Sequence, residues 1–545
     1  MIALKKTAGR RNDELTPRAL ILGCVLAALV TMYSAYAGLK IGGVYWPIVT
    51  TSLVSLAALT LLGKTNSREI VVMQTAGSTG GLLAAGIIFT IPAIWMLGLK
   101  VSVWEITAAA LVGGIAGVVF TIPLREQLIV KNKLPFADGA AAAALIRAGD
   151  AGGKKAKTLF AAFGVGAAFA FIRDGLGALP GVVNLETLKA SASRLFSFGT
   201  SVSLIPLAGG FLIGPLFTGA WFLGAVTTHF ALVPWLVSSG AFADKAVALA
   251  GLAKPIGIGI VIGAAIAFFL LRGFPELKKI FSDYRATEKT TGIKRKWTSL
   301  LIIACVGLFT IITGLDVVLS VIAIIGAFAM AYVGGRVTGE MNVDPMEIFA
   351  LIVLIAAKLA FGFAAVPLAL LAAVVCIAAG MGGDFLQDFK AGHELRAKPI
   401  NQIYAQLLSV VVSSLVIGVV LIALDQTQGI GTLNLPAPQA VAVKEIIGAT
   451  TLSTSLLIGA IIGALATLAA LHFNYGVIAV AFGIGMYVPI ELSVPMFAGG
   501  LARLAIDRAR KTDFWRLIAA GLISGEGLIG VLLALSSFAA GFIKF

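Results

Sequence analysis

Long apolar runs, parted by short polar segments, occupy most of the chain. Runs of membrane-crossing length fall at roughly 18–38, 43–63, 82–98, 105–124, 157–172, 201–217, 218–237 and 250–271. A second group falls near 298–314, 317–335, 345–362, 365–381, 401–424, 446–471, 474–490 and 514–541. A helix of ~20 residues crosses the ~30 Å hydrocarbon core of a bilayer, so the pattern predicts an all-α polytopic membrane protein with about 14–16 crossings. Two shorter apolar segments, Pro135–Ala148 and Leu492–Ala505, read as half-helices or re-entrant pieces. One island of charge breaks the second half: Asp384 to Lys398 (DFLQDFKAGHELRAK) carries seven ionisable side chains between the uncharged runs Leu359–Met381 and Ile403–Leu424. Gly380, Gly382 and Gly383 lead into it. Irregular polar backbone at membrane depth is tolerated only where protein buries it or a wet cavity receives it. The island therefore points to a transport pathway.

Composition sharpens that picture. The mean hydropathy is +1.00, with 59% hydrophobic and 12% charged residues, whereas roughly a quarter of the residues of a soluble domain are charged. The net charge of +15 comes from Lys and Arg in the loops, which fits a positive-inside bias and not a nucleic-acid partner. Lys5, Lys6, Arg10, Arg11 and Arg18 place the N-terminus in the cytoplasm of a multi-pass protein of the cell membrane. The basic loops Arg125–Lys157, Arg272–Lys296 and Arg503–Arg516 then fall on the same side. The polar start shows no cleavable secretory signal. Segmentation follows: an N-terminal tail (1–17), a first membrane half (18–272), a basic cytoplasmic linker (273–297) and a second membrane half (298–545).

A faint echo suggests internal duplication. Segment 122–146 (IPLREQLIVKNKLPFADGAAAAALI) and segment 488–506 (VPIELSVPMFAGGLARLAI) both run Pro, Glu, Pro and Phe into small residues. Met73–Gly77 (MQTAG) pairs similarly with Leu386–Gly392 (LQDFKAG). Matching Gly- or Pro-broken segments in two halves are the usual pointer to a transporter binding site. Parallel and inverted arrangements of the halves both fit.

Candidate chemistry gathers where glycine meets polar groups: Gln74–Gly81, Gly380–Gly383 and Ser524–Gly527. Gln74, Thr75, Ser78 and Thr79 offer neutral donors and acceptors. Asp384, Gln387, Asp388, Lys390 and His393 add charge of both signs. If both segments are broken, they face one shared cavity that suits a zwitterionic ligand. Asp384 also reads as a helix N-cap, through Asp-x-x-Gln to Gln387, and Ser102–Glu105 reads as a capping box opening a span. Asp138 likewise suits a cap. Glu526 lies ten residues past Arg516 and eighteen before Lys544, toward mid-membrane, where a charged carboxylate costs roughly 2.5–3.5 kcal/mol. It is the leading proton-coupling candidate. Glu491, between Pro489 and Pro495 in a segment expected to be broken, is second.

Cys24, Cys305 and Cys376 sit in separate apolar runs, and His229, His393 and His472 share no ligand spacing, so no metal site or cofactor is expected. No P-loop motif and no nucleophile–base cluster occurs, which disfavours an ATP-driven pump and an enzyme.

Five segments together resemble the oligopeptide transporter (OPT) family. They are GLKIGG (38–43), VVMQTAGSTGGLLAAGIIFTIPAIW (71–95), KLPFADGAAAAALIRAGD (133–150), GGDFLQDFKAGHELRAKP (382–399) and SGEGLIGVLLA (524–534). They occur in family order across most of the chain. The resemblance implies a membrane symporter of about 16 helices driven by protons, whose substrates are small peptides or metal chelates of amino-acid-derived ligands. The Asn-Pro-Gly and Lys-Ile-Pro-Pro-Arg signatures of the eukaryotic peptide branch are absent, which brings the chain closer to the prokaryotic and yellow-stripe-like side. Gly81 stands where other members often carry an acid. Proton-coupled symport of small oligopeptides is the leading expectation. Metal-chelate uptake comes second and a nucleobase or anion carrier third. Sodium coupling and a homo-oligomeric assembly are compatible with the same residues.

Overall fold

The computed structural model describes residues 14–543 apart from 45–46, 149, 185–194, 278–294, 315, 342–343, 345, 449–452, 473–477 and 509–511. The expected basic linker thus lies largely outside the described residues. Among those described, eleven helices are long and apolar enough to cross a membrane, and four further apolar helices are shorter. A single short hairpin pairs β1 (Val182–Asn184) with β2 (Gly199–Ser201), Val182 opposite Ser201. Large apolar side chains such as Ile311, Leu359, Ile461 and Leu465 are exposed, as lipid-facing residues must be. The fold is an all-α polytopic membrane protein.

The helices that build the site are α1 (Pro17–Ile41), α2 (Pro47–Leu61), α3 (Ser67–Ile88), α4 (Ala137–Ala148), α5 (Leu204–Ile213), α6 (Val317–Met341), α7 (Met346–Phe361), α8 (Ala365–Glu394), α9 (Ile490–Arg508) and α10 (Thr512–Ile543). Their ends follow local chemistry. Thr16 caps α1 and is followed by Pro17, whose missing N–H costs nothing in the first turn. Asn66 caps α3 by accepting from the backbone of Arg68 and Glu69. The Ser102–Glu105 capping box is present in full. Gly42 ends α1 with φ at +67°, and an added Cβ would lie 2.8 Å from the Pro438 ring.

Two triplets share one plan: a long helix, a short one, then a long one. In α1–α2–α3 the two long helices run parallel, with Gly23 against Met73 and Ala76, and Gly38 against Ile88. In α6–α7–α8 they also run parallel, with Gly326 against Val375 and Gly335 against Gly382. The triplets meet through α3 and α8, which are antiparallel: Gly86 meets Ile377, while Gln74 bonds Asp388. The triplets therefore run in opposite senses.

Three expected breaks are corrected. α3 is unbroken through Gln74–Gly81, α8 through Gly380–His393, and α10 through Ser524–Gly527. Asp384 is accordingly mid-helical and not a cap. The glycines serve close packing: an added Cβ on Gly382 would collide with the Ala331 carbonyl, and one on Gly525 with that of Phe163. Leu492–Ala505 is also no half-helix. It lies in the 19-residue α9, with Pro495 inside, and the break falls just before, around Val488–Pro489.

Candidate functional site

The actual chain breaks converge on one cavity of about 360 Å³, within the ~300–1,000 Å³ typical of small-molecule sites. The turn after α1 contributes Gly42, Gly43 and Val44; the turn after α6 contributes Asp344, followed by Met346 and Glu347 of α7. Leu212 and Ile213 at the end of α5 and Asp138 in the first turn of α4 complete the rim, with Gly81 and Asp384 from the unbroken α3 and α8. Leu82, Phe89, Phe217, Trp221, Ile484 and Met496 form apolar walls.

Four carboxyl groups enter this space, from Asp138, Asp344, Glu347 and Asp384, and no Lys or Arg lines it among the described residues. Asp384 interacts electrostatically with Asp138 on one side and Asp344 on the other, and Asp344 with Glu347. Among the described residues neither carboxylate oxygen of Asp344 has a hydrogen-bond partner. Its side chain lies over the glycine face of α8, where a Cβ on Gly383 would collide with Asp344 Oδ2 and lie 2.5 Å from Thr338 Oγ1. A carboxylate shielded from water and without a donor is expensive, so Asp344 is the group in this lining that positive charge would most relieve.

The residues singled out from the sequence divide sharply. Asp384 lines the cavity. Asp388, one turn on and fully buried, accepts from Gln74 Nε2 at 2.5 Å and Ser78 Oγ at 2.7 Å. Gln402 closes the network by donating to Thr75 Oγ1 at 3.0 Å and to the Asp388 carbonyl at 2.8 Å. Thr79 donates back to the Thr75 carbonyl. Gln74 and Ser78 thus join α3 to α8 directly, Thr75 reaches α8 through Gln402, Thr79 bonds within α3, and all four lie away from the cavity lining. Gln387 accepts from the Gly139 backbone at 2.8 Å and seats α4. Lys390 pairs with Glu394 at 3.7 Å, and exposed His393 lies in the last turn of α8.

Glu526 is brought elsewhere. Its Oε1 accepts from Arg173 at 2.7 Å and Ser203 Oγ at 2.5 Å; its Oε2 accepts from the backbone of Leu204 at 2.7 Å and Ile205 at 3.2 Å. Lys40 stands 3.7 Å away. A carboxylate at the start of a helix satisfies orphan N–H groups and complements the helix dipole, so Glu526 pins α10 to the start of α5. Glu491, in the first turn of α9, accepts from Asn184 at 3.3 Å.

Sequence reasoning missed Asp344 and Glu347. Their signal was present as Asp344-Pro345-Met346-Glu347, two acids around a proline between apolar runs. It is the signature of a helix starting inside the membrane. Treating the run from 345 as an ordinary crossing hid it.

An inverted pair of helix triplets whose broken turns meet at a polar cavity defines a membrane transporter. Similarity to known proteins gives the particular kind. Residues 14–537 match the model of the OPT oligopeptide transporter protein family. The chain belongs to that family. It is also similar, at 28% identity over 92% of both chains, to a putative oligopeptide transporter of Haemophilus influenzae.

Proposed function

We propose that the chain is a proton-coupled symporter of small oligopeptides in the cell membrane, and that the acid-lined cavity is where peptide and protons meet. The carrying observation is the set of four carboxyl groups around Asp344 with no basic residue in the lining. Such a set is neutralised either by protons or by the ammonium group of a peptide. Protons bound from one side therefore make way for, or accompany, the amine on its passage, which is a means of coupling. The apolar walls accept side chains of varied size. The lining suits the ammonium end of a peptide, which favours peptides over anionic metal chelates.

Asp344, Glu347 and Asp384 take the proton-coupling role in this reading. Glu526, the residue expected from the sequence, already meets a guanidinium, a hydroxyl and two backbone donors, and its part is to hold the junction of α5 and α10. Asp388 and its partners on α3 keep α3 and α8 in register beside the cavity. Arg18, Arg68, Arg147 and Lys398 share the end of the molecule where Glu14, Glu69 and Glu394 lie, which supports a cytoplasmic N-terminus.

The test is uptake of a labelled tripeptide by proteoliposomes holding the purified full chain. An inward proton gradient should drive accumulation above the outside concentration, and a protonophore should abolish it. Uptake indifferent to the gradient, or transport of a nucleobase or inorganic anion in place of peptides, would overturn the proposal.

A further inference from the structure

A second cavity, of about 540 Å³, lies on the other side of the turn that ends α1. Its lining includes Tyr36, Lys40, Arg173, Asp174 and Ser203. The same stretch, Gly38-Leu39-Lys40-Ile41-Gly42-Gly43, thus presents Lys40 to this cavity and Gly42 and Gly43 to the acid-lined one. One short turn separates a space lined by Lys40, Arg173 and Asp174 from one lined by acids alone among its charged residues.

The charges around the second cavity are unequally satisfied. Arg173 is fully engaged: Nε and Nη2 grip Asp174 at 2.6 and 2.5 Å, and Nη1 donates to the Val202 carbonyl and to Glu526, both at 2.7 Å. Each oxygen of Glu526 already accepts two shorter bonds. Lys40 is left over. Only 8% exposed, it stands 3.7 Å from Glu526 Oε1, beyond hydrogen-bond reach, and 4.7 Å from the centre of the Tyr36 ring. An ammonium carries three donors, and among the described residues those of Lys40 make no hydrogen bond. A buried cation with spare donors on a polar cavity is a receptor for an anion.

Resting on the peptide reading above, we infer that the second cavity receives the C-terminal carboxylate of the peptide, with Lys40 as the recognising residue. Lys40 then supplies, for the carboxylate end of a zwitterionic peptide, the positive charge that the acid-lined cavity lacks. Glu526 keeps the ammonium in place without consuming its donors. This gives the GLKIGG segment a role in selecting for a free carboxyl end.

The experiment compares a tripeptide with a free C-terminus against its C-terminal amide, in proteoliposomes containing the full chain, Lys40→Gln or Lys40→Arg. A charge-assisted bond of this kind corresponds to a preference of at least about 10-fold in KM for the free acid in the unaltered protein. Lys40→Gln should bring the free-acid KM to the level of the amide, and Lys40→Arg should keep most of the preference. Equal KM for acid and amide in the unaltered protein would overturn the inference while leaving peptide transport standing, and needs no variant to fold. An undiminished preference in Lys40→Gln would do the same. Transport of neither peptide would overturn both this inference and the peptide reading.

Discussion

Two acidic regions inside this molecule have opposite construction. Around Glu526 a single carboxylate meets Arg173, Ser203 and two backbone N–H groups, with Lys40 close by. Around Asp344 four carboxyl groups from α4, α7, α8 and the turn after α6 share a cavity with no Lys or Arg in its lining among the described residues. The first arrangement is complete, so disturbing it costs stability. The second is incomplete at Asp344, whose oxygens find no hydrogen-bond partner among the described residues, and on the proposed reading a proton or a peptide amine completes it. A buried acid is thus no guide to function until its partners are counted.

The largest expected effect is on the completed side. Glu526→Ala leaves Arg173 with Asp174 but takes the acceptor from Ser203 and from the first N–H groups of α5, and at ~1–3 kcal/mol for each buried donor left unsatisfied the loss is several kcal/mol. A strongly lowered thermal midpoint of the purified protein is the readout; an unchanged midpoint would mean the ion pair holds nothing together. On the open side, Gly383→Ala sets a methyl against Asp344 and Thr338. Overpacking of this kind costs ~1–3 kcal/mol, and peptide uptake should fall by roughly tenfold or more because Asp344 is pushed from the lining. Uptake equal to the unaltered protein would separate Asp344 from transport.

A smaller effect tests the region between the two. Gln74→Ala leaves the Asp388 carboxylate short of a donor, at about 1–3 kcal/mol of stability, while the KM for peptide should stay within about twofold because Gln74 is wholly buried. A large KM change with an unchanged thermal midpoint would return Gln74 to the substrate site. The smallest effect belongs to Glu105→Ala, which removes half of a capping box far from either region. About 0.5–2 kcal/mol is expected, with uptake unaffected. A loss of uptake there would show that transport tracks general stability and would blunt the other comparisons.

Much of the fold was legible in the chain because the bilayer imposes helices on any long apolar run, and caps such as Ser102–Glu105 mark their ends. What misled was glycine. In QTAGSTGG, GMGGD and SGEG the expectation of broken backbone failed, because in lipid these glycines let helices touch. Gly80 against the Ala27 carbonyl and Gly382 against that of Ala331 are examples. The true breaks fall at Gly42–Val44 and around Asp344, where sequence alone showed only the join between two apolar runs. The segments of the Gln74 and Gln387 echo lie on neighbouring antiparallel helices, Gln74 bonding Asp388 and Gln387 bonding Gly139. Asp384 was found because its island of charge is conspicuous. Asp344 and Glu347 were missed because two acids beside a proline look like an ordinary loop.

The most direct measurement sets Asp344→Asn beside Glu526→Gln in the same proteoliposomes, scoring both peptide counterflow and accumulation driven by a proton gradient. Each variant keeps side-chain size and some bonding capacity while fixing one group as neutral. Asp344→Asn is expected to keep counterflow and lose gradient-driven accumulation, and Glu526→Gln, where it folds, to keep both. Full accumulation by Asp344→Asn, with Glu526→Gln exchanging peptide but failing to concentrate it, would contradict the assignment and move the coupling site to Glu526.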